Sequence, residues 1–139
     1  MIGILICGHG TFAEGIYSTI KLIAGEQPNV KVVNFLEEDS SKRLKAKITK
    51  AMEELGFEHG IACFTDVAGG TPFNICSTIA SSNTRVKVIG GTNVPMLLSS
   101  LFFRELDLDQ FVQKAFEQGT KNIKIFTLYT GKVDEKEGI

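Results

Sequence analysis

The sequence predicts a single α/β domain over residues 1–139, a three-layer sandwich whose central sheet is mainly parallel with the flavodoxin-like order 2-1-3-4. Two observations carry that expectation. Short continuous apolar runs such as Ile2-Gly3-Ile4-Leu5-Ile6-Cys7 suit strands buried on both faces of a sheet. Between these runs the apolar period becomes helical, so strand and helix alternate and right-handed crossovers join parallel neighbours.

The elements follow in order. The first strand ends at Gly8-His9-Gly10, and from Thr11 the residues Phe12, Ile16, Ile20 and Ile23 recur at helical spacing until Gly25 closes the segment. Asn29–Leu36 reads as a second strand. Ser40 then opens an amphipathic helix with Leu44, Ile48, Ala51, Met52 and Leu55 on one face, stopped at Gly56. Gly60–Thr65 is a third buried strand, and Phe73–Ala80 is a helix with Pro72 in its first turn, where the missing N–H costs nothing. Arg85–Ile89 is a fourth strand. The loop Gly90-Gly91-Thr92-Asn93-Val94-Pro95 leads to helical Met96–Phe103, then to a helix over Leu108–Gln118 with Phe111, Val112, Ala115 and Phe116 as its apolar face. Asn122–Tyr129 reads as a last strand.

Composition narrows the function classes. With 15 basic and 16 acidic residues the net charge is −1, and no basic run marks a nucleic-acid tail. The apolar runs are too short to span a bilayer, and Met1-Ile2-Gly3 lacks the cationic region of a signal peptide, so the expected location is the cytoplasm. Cys7, Cys63 and Cys76 have no metal-type spacing, and Cys7 and Cys63 fall on buried strands as small hydrophobes.

In such a sheet, ligands bind beyond the carboxyl ends of the strands where strand order reverses, between the first and third. Gly8-His9-Gly10-Thr11 follows the first strand, Asp66 through Thr71 the third, and Gly90, Gly91 and Asn93 the fourth. One histidine and one carboxylate therefore meet among three glycine-rich loops. A histidine with one ring nitrogen held and the other free is a nucleophile toward phosphorus. Asp66 is placed to hold it, and Gly69-Gly70-Thr71-Pro72 opens a helix whose N–H groups and Thr71 hydroxyl suit an anion. Taken singly, His9 reads equally as a turn residue and Asp66 as a turn cap; only the combination is specific. The reading is a phosphohistidine carrier with His9 and Asp66 as catalytic pair. Gly10, Thr11, Gly69, Gly70 and Thr71 surround the phosphoryl group, with no metal or organic cofactor. His59 falls at the opposite end of the sheet as a surface residue, Asp107 and Asp109 suit a helix start, and Lys42–Lys50 suits a solvated helix face. Glu14 lies one turn into the first helix without a defined role.

Three stretches resemble the IIA domain of the mannose-family (mannose–fructose–sorbose) phosphotransferase systems. They are Gly8-His9-Gly10, Asp66-Val67-Ala68-Gly69-Gly70-Thr71-Pro72-Phe73-Asn74 and Gly91-Thr92-Asn93-Val94-Pro95-Met96-Leu97, with Ile23-Ala24-Gly25-Glu26 as a fourth match. The resemblance implies that His9 takes a phosphoryl group from the phosphocarrier HPr and passes it to a EIIB component, with membrane EIIC and EIID components involved only indirectly. It implies that Asp66 hydrogen-bonds His9 and that Thr71 contacts the phosphoryl group. It also implies a homodimer in which the C-terminal strand, here Asn122–Tyr129, runs antiparallel in the partner's sheet. Two departures stand out: Gly8 replaces the Ser or Thr common before the histidine, and Val67-Ala68 lacks a tryptophan that some members carry. The chain reads as a free-standing IIA, and its sugar is not written in the sequence.

The phosphotransfer subunit of a dihydroxyacetone kinase system shares the histidine and would change only the acceptor. A IIA-like regulatory binding domain is the non-enzymatic alternative. A response-regulator receiver needs a carboxylate cluster after the first strand to hold Mg²⁺, and Cys7-Gly8-His9 offers none. A flavin or nucleotide module needs Gly-x-Gly-x-x-Gly or a Walker element there, and neither is present.

Overall fold

A computed structural model describes residues 1–128. Four strands, β1 (Gly3–His9), β2 (Val30–Phe35), β3 (Ile61–Thr65) and β4 (Val86–Ile89), form one parallel sheet in the order β2-β1-β3-β4. Helices α1 (Phe12–Ala24), α2 (Ser41–Leu55), α3 (Thr71–Ser81), α4 (Val94–Ser100) and α5 (Leu108–Lys121) cover its two faces. The expected class and strand order are those observed.

Alternation along β1 divides the core. Ile4 and Ile6, with Phe64 of β3, pack toward α1, α4 and α5, where Phe64 meets Phe111 edge-on at 6.2 Å. Leu5 and Cys7, with Cys63, pack toward α2 and α3 against Leu44, Ile48, Met52 and Cys76. Each of these strand residues is buried, which accounts for runs that are apolar at every position.

Side-chain caps set the helix starts. Ser40 accepts from the Arg43 N–H at 3.1 Å, Asn93 from Met96 at 3.0 Å and Asp107 from Gln110 at 2.9 Å. The Asn93 cap starts α4 at Val94, two residues before the position the apolar pattern suggested, and places Pro95 in its first turn. The helix then stops at Ser100, so Phe102 and Phe103 lie beyond it, Phe102 exposed. Helix α5 runs on to Lys121 because buried Gly119 lies against Met96 of α4: a Cβ there would come within 2.5 Å of Met96 Cε. Phe116, expected on its apolar face, is exposed.

Two further expectations change. Within a single chain residues 122–128 form no strand; Asn122 caps α5, and Ile123, Ile125, Phe126 and Leu128 stand exposed, with no strand beside them among the described residues. Tyr129, the last residue of that expected strand, lies outside the described residues. Within the Lys42–Lys50 run, Lys47 is half-buried and joins the Asn34 carbonyl oxygen (2.6 Å) to the Asp39 carboxylate (2.8 Å). With Arg43 Nε at 3.0 Å, that clasp fixes the turn from β2 into α2.

At the amino ends of the strands, buried Arg104 gathers the carbonyls of Ile2, Pro28 and Asn29, with Nη2 at 2.6 Å from the Ile2 oxygen and 2.9 Å from the Asn29 oxygen. His59 lies at this same end, exposed, far from the other histidine. Asp107 and Asp109 take the helix-start positions expected of them.

Candidate functional site

His9 is the last residue of β1, paired in register with Phe35 at the end of β2. Gly10 turns the chain out of the strand at φ +58°, a left-handed conformation that glycine adopts without penalty. Its N–H donates to the Phe35 carbonyl at 2.7 Å, so that donor is occupied within the fold. The imidazole lies against the Phe35 ring, centroids 5.7 Å apart and tilted by 55°.

The partner comes from β3. Asp66 Oδ2 stands 2.8 Å from His9 Nδ1 and accepts the His9 main-chain N–H at 2.8 Å. Oδ1 accepts the Val67 N–H at 2.8 Å. Burial of the carboxyl favours its neutral form. The His9 backbone and ring, the Val67 N–H and the charge of a protonated His9 outweigh that and hold Asp66 below its ordinary value. The Asp66 side chain is 11% exposed and that of His9 is 47% exposed. The carboxylate is thus the more buried partner and the imidazole the more exposed one. With the carboxylate on Nδ1, the proton resides there and Nε2 keeps its lone pair.

Glycines let the other loops close in. A Cβ on Gly70 would lie 2.9 Å from His9 Cε1, and one on Gly90 would lie 2.8 Å from Ala68 Cα. The first seats the start of α3 beside the ring; the second lets the loop after β4 press on the loop after β3, where the Gly91 N–H donates to the Asp66 carbonyl at 2.9 Å. Gly69, at φ +86°, makes the turn into α3. The Gly70 N–H is taken by the Val67 carbonyl at 3.0 Å. Because Pro72 has no N–H and the first helical bond runs from Asn74 to Gly70, the Thr71 and Phe73 N–H groups lack intrahelical acceptors. Half-buried Thr71 opens this helix, and the positive end of α3 therefore sits beside His9. A cleft of about 300 Å³ between α2 and α3, lined by Ser41, Lys45, Thr71, Asn74, Ile75 and Thr78, leads up to it.

His9, Asp66, Gly70 and Thr71 are thus brought to one end of the sheet. Thr11, at the N-cap of α1, makes no side-chain capping bond and is exposed. Asn93 turns inward instead, bonding the Met96 N–H and the Gly119 carbonyl. Glu14 is tied to Asn34 on β2 at 3.1 Å. Cys7, near the site, has its thiol pushed far up by burial and by Cys76 and Asp66, so it stays protonated. Sequence reasoning missed Phe35 and Phe12, whose closeness to the pair depends on strand register and on space at Gly8.

An imidazole held by a carboxylate and set beside a helix start is an arrangement that can act as a nucleophile toward an anionic group. Residues 3–116 match the EIIA-man family, described as "PTS system fructose IIA component", and the chain belongs to that family. It is 34% identical over 125 residues to the mannose-specific EIIAB component of Escherichia coli (strain K12), a match that covers 88% of this chain and 39% of that protein. The chain thus spans well under half the length of that relative. Against the fructose-specific EIIA component of Bacillus subtilis (strain 168) it is 31% identical over 105 residues, covering 76% of this chain and 72% of the relative. The crystal structure of a phosphotransferase system component EIIA from Streptococcus agalactiae superposes with a TM-score of 0.84 at 33% identity, covering 91% of this chain and 98% of that one.

Proposed function

We propose that this chain accepts a phosphoryl group on His9 Nε2 from phosphorylated HPr and passes it to a EIIB component during carbohydrate uptake. The observation that carries the reading is the 2.8 Å contact between His9 Nδ1 and Asp66, which leaves Nε2 as the exposed nucleophile. The Nε2 lone pair attacks phosphorus in line as the P–N bond to the donor histidine breaks, and the donor nitrogen takes that electron pair. Asp66 keeps the proton on Nδ1 and balances the positive phosphoimidazole. Thr71, with the Thr71 and Phe73 N–H groups, stabilises the equatorial oxygens. The same steps in reverse direction hand the group to a EIIB nucleophile. No metal is required by these steps, because the phosphoryl group arrives already activated.

The reading includes a cytoplasmic location and only indirect dealings with membrane EIIC and EIID components. Among the described residues no helix is long and apolar enough to cross a membrane. It also includes a homodimer. The exposed Ile123, Ile125, Phe126 and Leu128 support this, since a row of apolar side chains following α5 gains most from covering by a second copy.

Incubation with phosphoenolpyruvate, enzyme I and HPr, followed by mass spectrometry, tests the proposal. One acid-labile phosphoryl group, absent in His9→Ala, is the expected result. Absence of labelling with a donor that phosphorylates a control acceptor overturns it.

A further inference from the structure

Gly8 precedes the nucleophile on β1 and is buried. Its φ is not positive, so the backbone does not require glycine there; the surrounding space does. A Cβ on Gly8 would come within 2.5 Å of Phe12 Cδ1, 3.1 Å of Phe12 Cβ and 3.0 Å of Asp66 Cγ. Phe12 and the Asp66 carboxyl therefore both border the volume that a side chain at position 8 would take. Phe12 is the first residue of α1 and packs on the cluster that holds Ala13 and Ile16, so its ring is fixed from behind.

Both oxygens of Asp66 are engaged by N–H groups, and Phe12 and the carboxyl carbon both border the space beside Gly8. Excluding water from this side strengthens the carboxylate–imidazole hydrogen bond, because a hydrogen bond to a charged group gains as the local dielectric falls. We propose that Phe12 is a positioning residue for phosphoryl transfer: it seals Asp66 from water across Gly8, keeps the His9 proton on Nδ1, and can do so only while position 8 carries no side chain. Gly8 and Phe12 then form a coupled pair. The inference rests on the reading of His9 as phosphoryl acceptor and adds to it a residue that touches neither the phosphoryl group nor the ring nitrogens.

The test compares wild type, Phe12→Ala, Gly8→Ser and Gly8→Ser/Phe12→Ala in the full chain. Two quantities are read: the rate of phosphoryl uptake from phosphorylated HPr, and the tautomer of neutral His9 from its ring ¹⁵N shifts, with His59 as internal reference. Phe12→Ala is expected to slow uptake by about ten- to a hundredfold and to move His9 toward the Nε2–H tautomer. Adding Ser at position 8 to that variant refills the volume and restores most of both. Unchanged rate and tautomer in Phe12→Ala overturn the proposal, as does a double variant no better than Phe12→Ala alone. That second comparison holds even where Gly8→Ser by itself does not fold. Should wild type take no phosphoryl group from a donor active on a control acceptor, the function reading falls, and the tautomer comparison alone decides the role of Phe12.

Discussion

One oxygen of Asp66 holds two parts of one residue: Oδ2 accepts from the ring Nδ1 and from the main-chain N of His9, each at 2.8 Å. Ring orientation is thereby referred directly to the backbone of β1. In Asp66→Asn the shape is kept and the charge lost, and its single oxygen can serve His9 or the Val67 N–H but not both. Phosphoryl uptake should fall by about a hundredfold while the circular-dichroism spectrum stays as in wild type. Uptake within a factor of two of wild type removes Asp66 from the mechanism.

The same carboxylate makes stability depend on acid. Asp66 is held below its ordinary value against the effect of its own burial, and Asp39 is held down by the hydrogen bond from Lys47 and by that from the Leu36 N–H. A carboxylate whose folded value is depressed contributes stability that is complete above its unfolded value, near pH 4, and that fades as pH falls through the folded value. Wild type should therefore lose stability as pH drops below about 4. Asp66→Asn should lose less over that window in denaturant titrations at stepped pH. An identical pH slope in the variant refutes the assignment.

Gly70 tests the closeness of the helix start to the ring. A methyl group at this position would sit 2.9 Å from His9 Cε1 and 3.2 Å from the Val67 carbonyl oxygen. Gly70→Ala should displace the imidazole and lower transfer about tenfold or more, whereas an alanine at exposed Gly15, where nothing lies within 4 Å, should not. Equal transfer rates for the two variants would show that the contact does not matter.

Thr92 offers a stabilising change. Its hydroxyl is buried without a hydrogen-bond partner among the described residues, while its N–H donates to the Thr65 carbonyl at 3.1 Å. Valine keeps the shape and removes the unsatisfied group, so Thr92→Val should gain about 1 kcal/mol and raise the melting midpoint by roughly 3 °C. A lower midpoint would mean that the hydroxyl has a partner in solution.

Arg104 carries the opposite expectation. Its guanidinium, 4% exposed, bonds the carbonyls of Ile2, Pro28 and Asn29 at the end of the sheet remote from His9. Arg104→Met leaves those oxygens without their donors and should cost about 2–4 kcal/mol in urea unfolding, with phosphoryl uptake per folded molecule unchanged. A loss below about 0.5 kcal/mol would show that water replaces the side chain.

Much of this was legible in the chain itself. Strand order, the parallel sheet and the meeting of His9 with Asp66 follow from period and position, because apolar runs and the switch-point rule act over many residues. Contacts settled by a fraction of an ångström were not. That the Gly10 N–H is spent on Phe35, that Asn93 serves α4 and α5 rather than the site, and that Phe12 and Asp66 share the space beside Gly8 all depend on how helices settle on the sheet. The segment after α5 exposes a different limit. Its pattern reads as a strand, yet a strand exists only beside another strand, and the described residues of one chain supply it none.

His9 closes a central strand, with Asp66 on one nitrogen, Phe35 along its flank and Gly70 against Cε1. The His9 side chain is 47% exposed and its Nδ1 is held by Asp66, so a partner reaching Nε2 leaves no room for a second. If His9 carries the phosphoryl group as proposed, donor and acceptor take turns in a ping-pong cycle in which each visitor leaves before the next arrives. Spent donor and waiting acceptor then compete for the same berth, and flux through the carrier depends on the ratio of the two as much as on the amount of either.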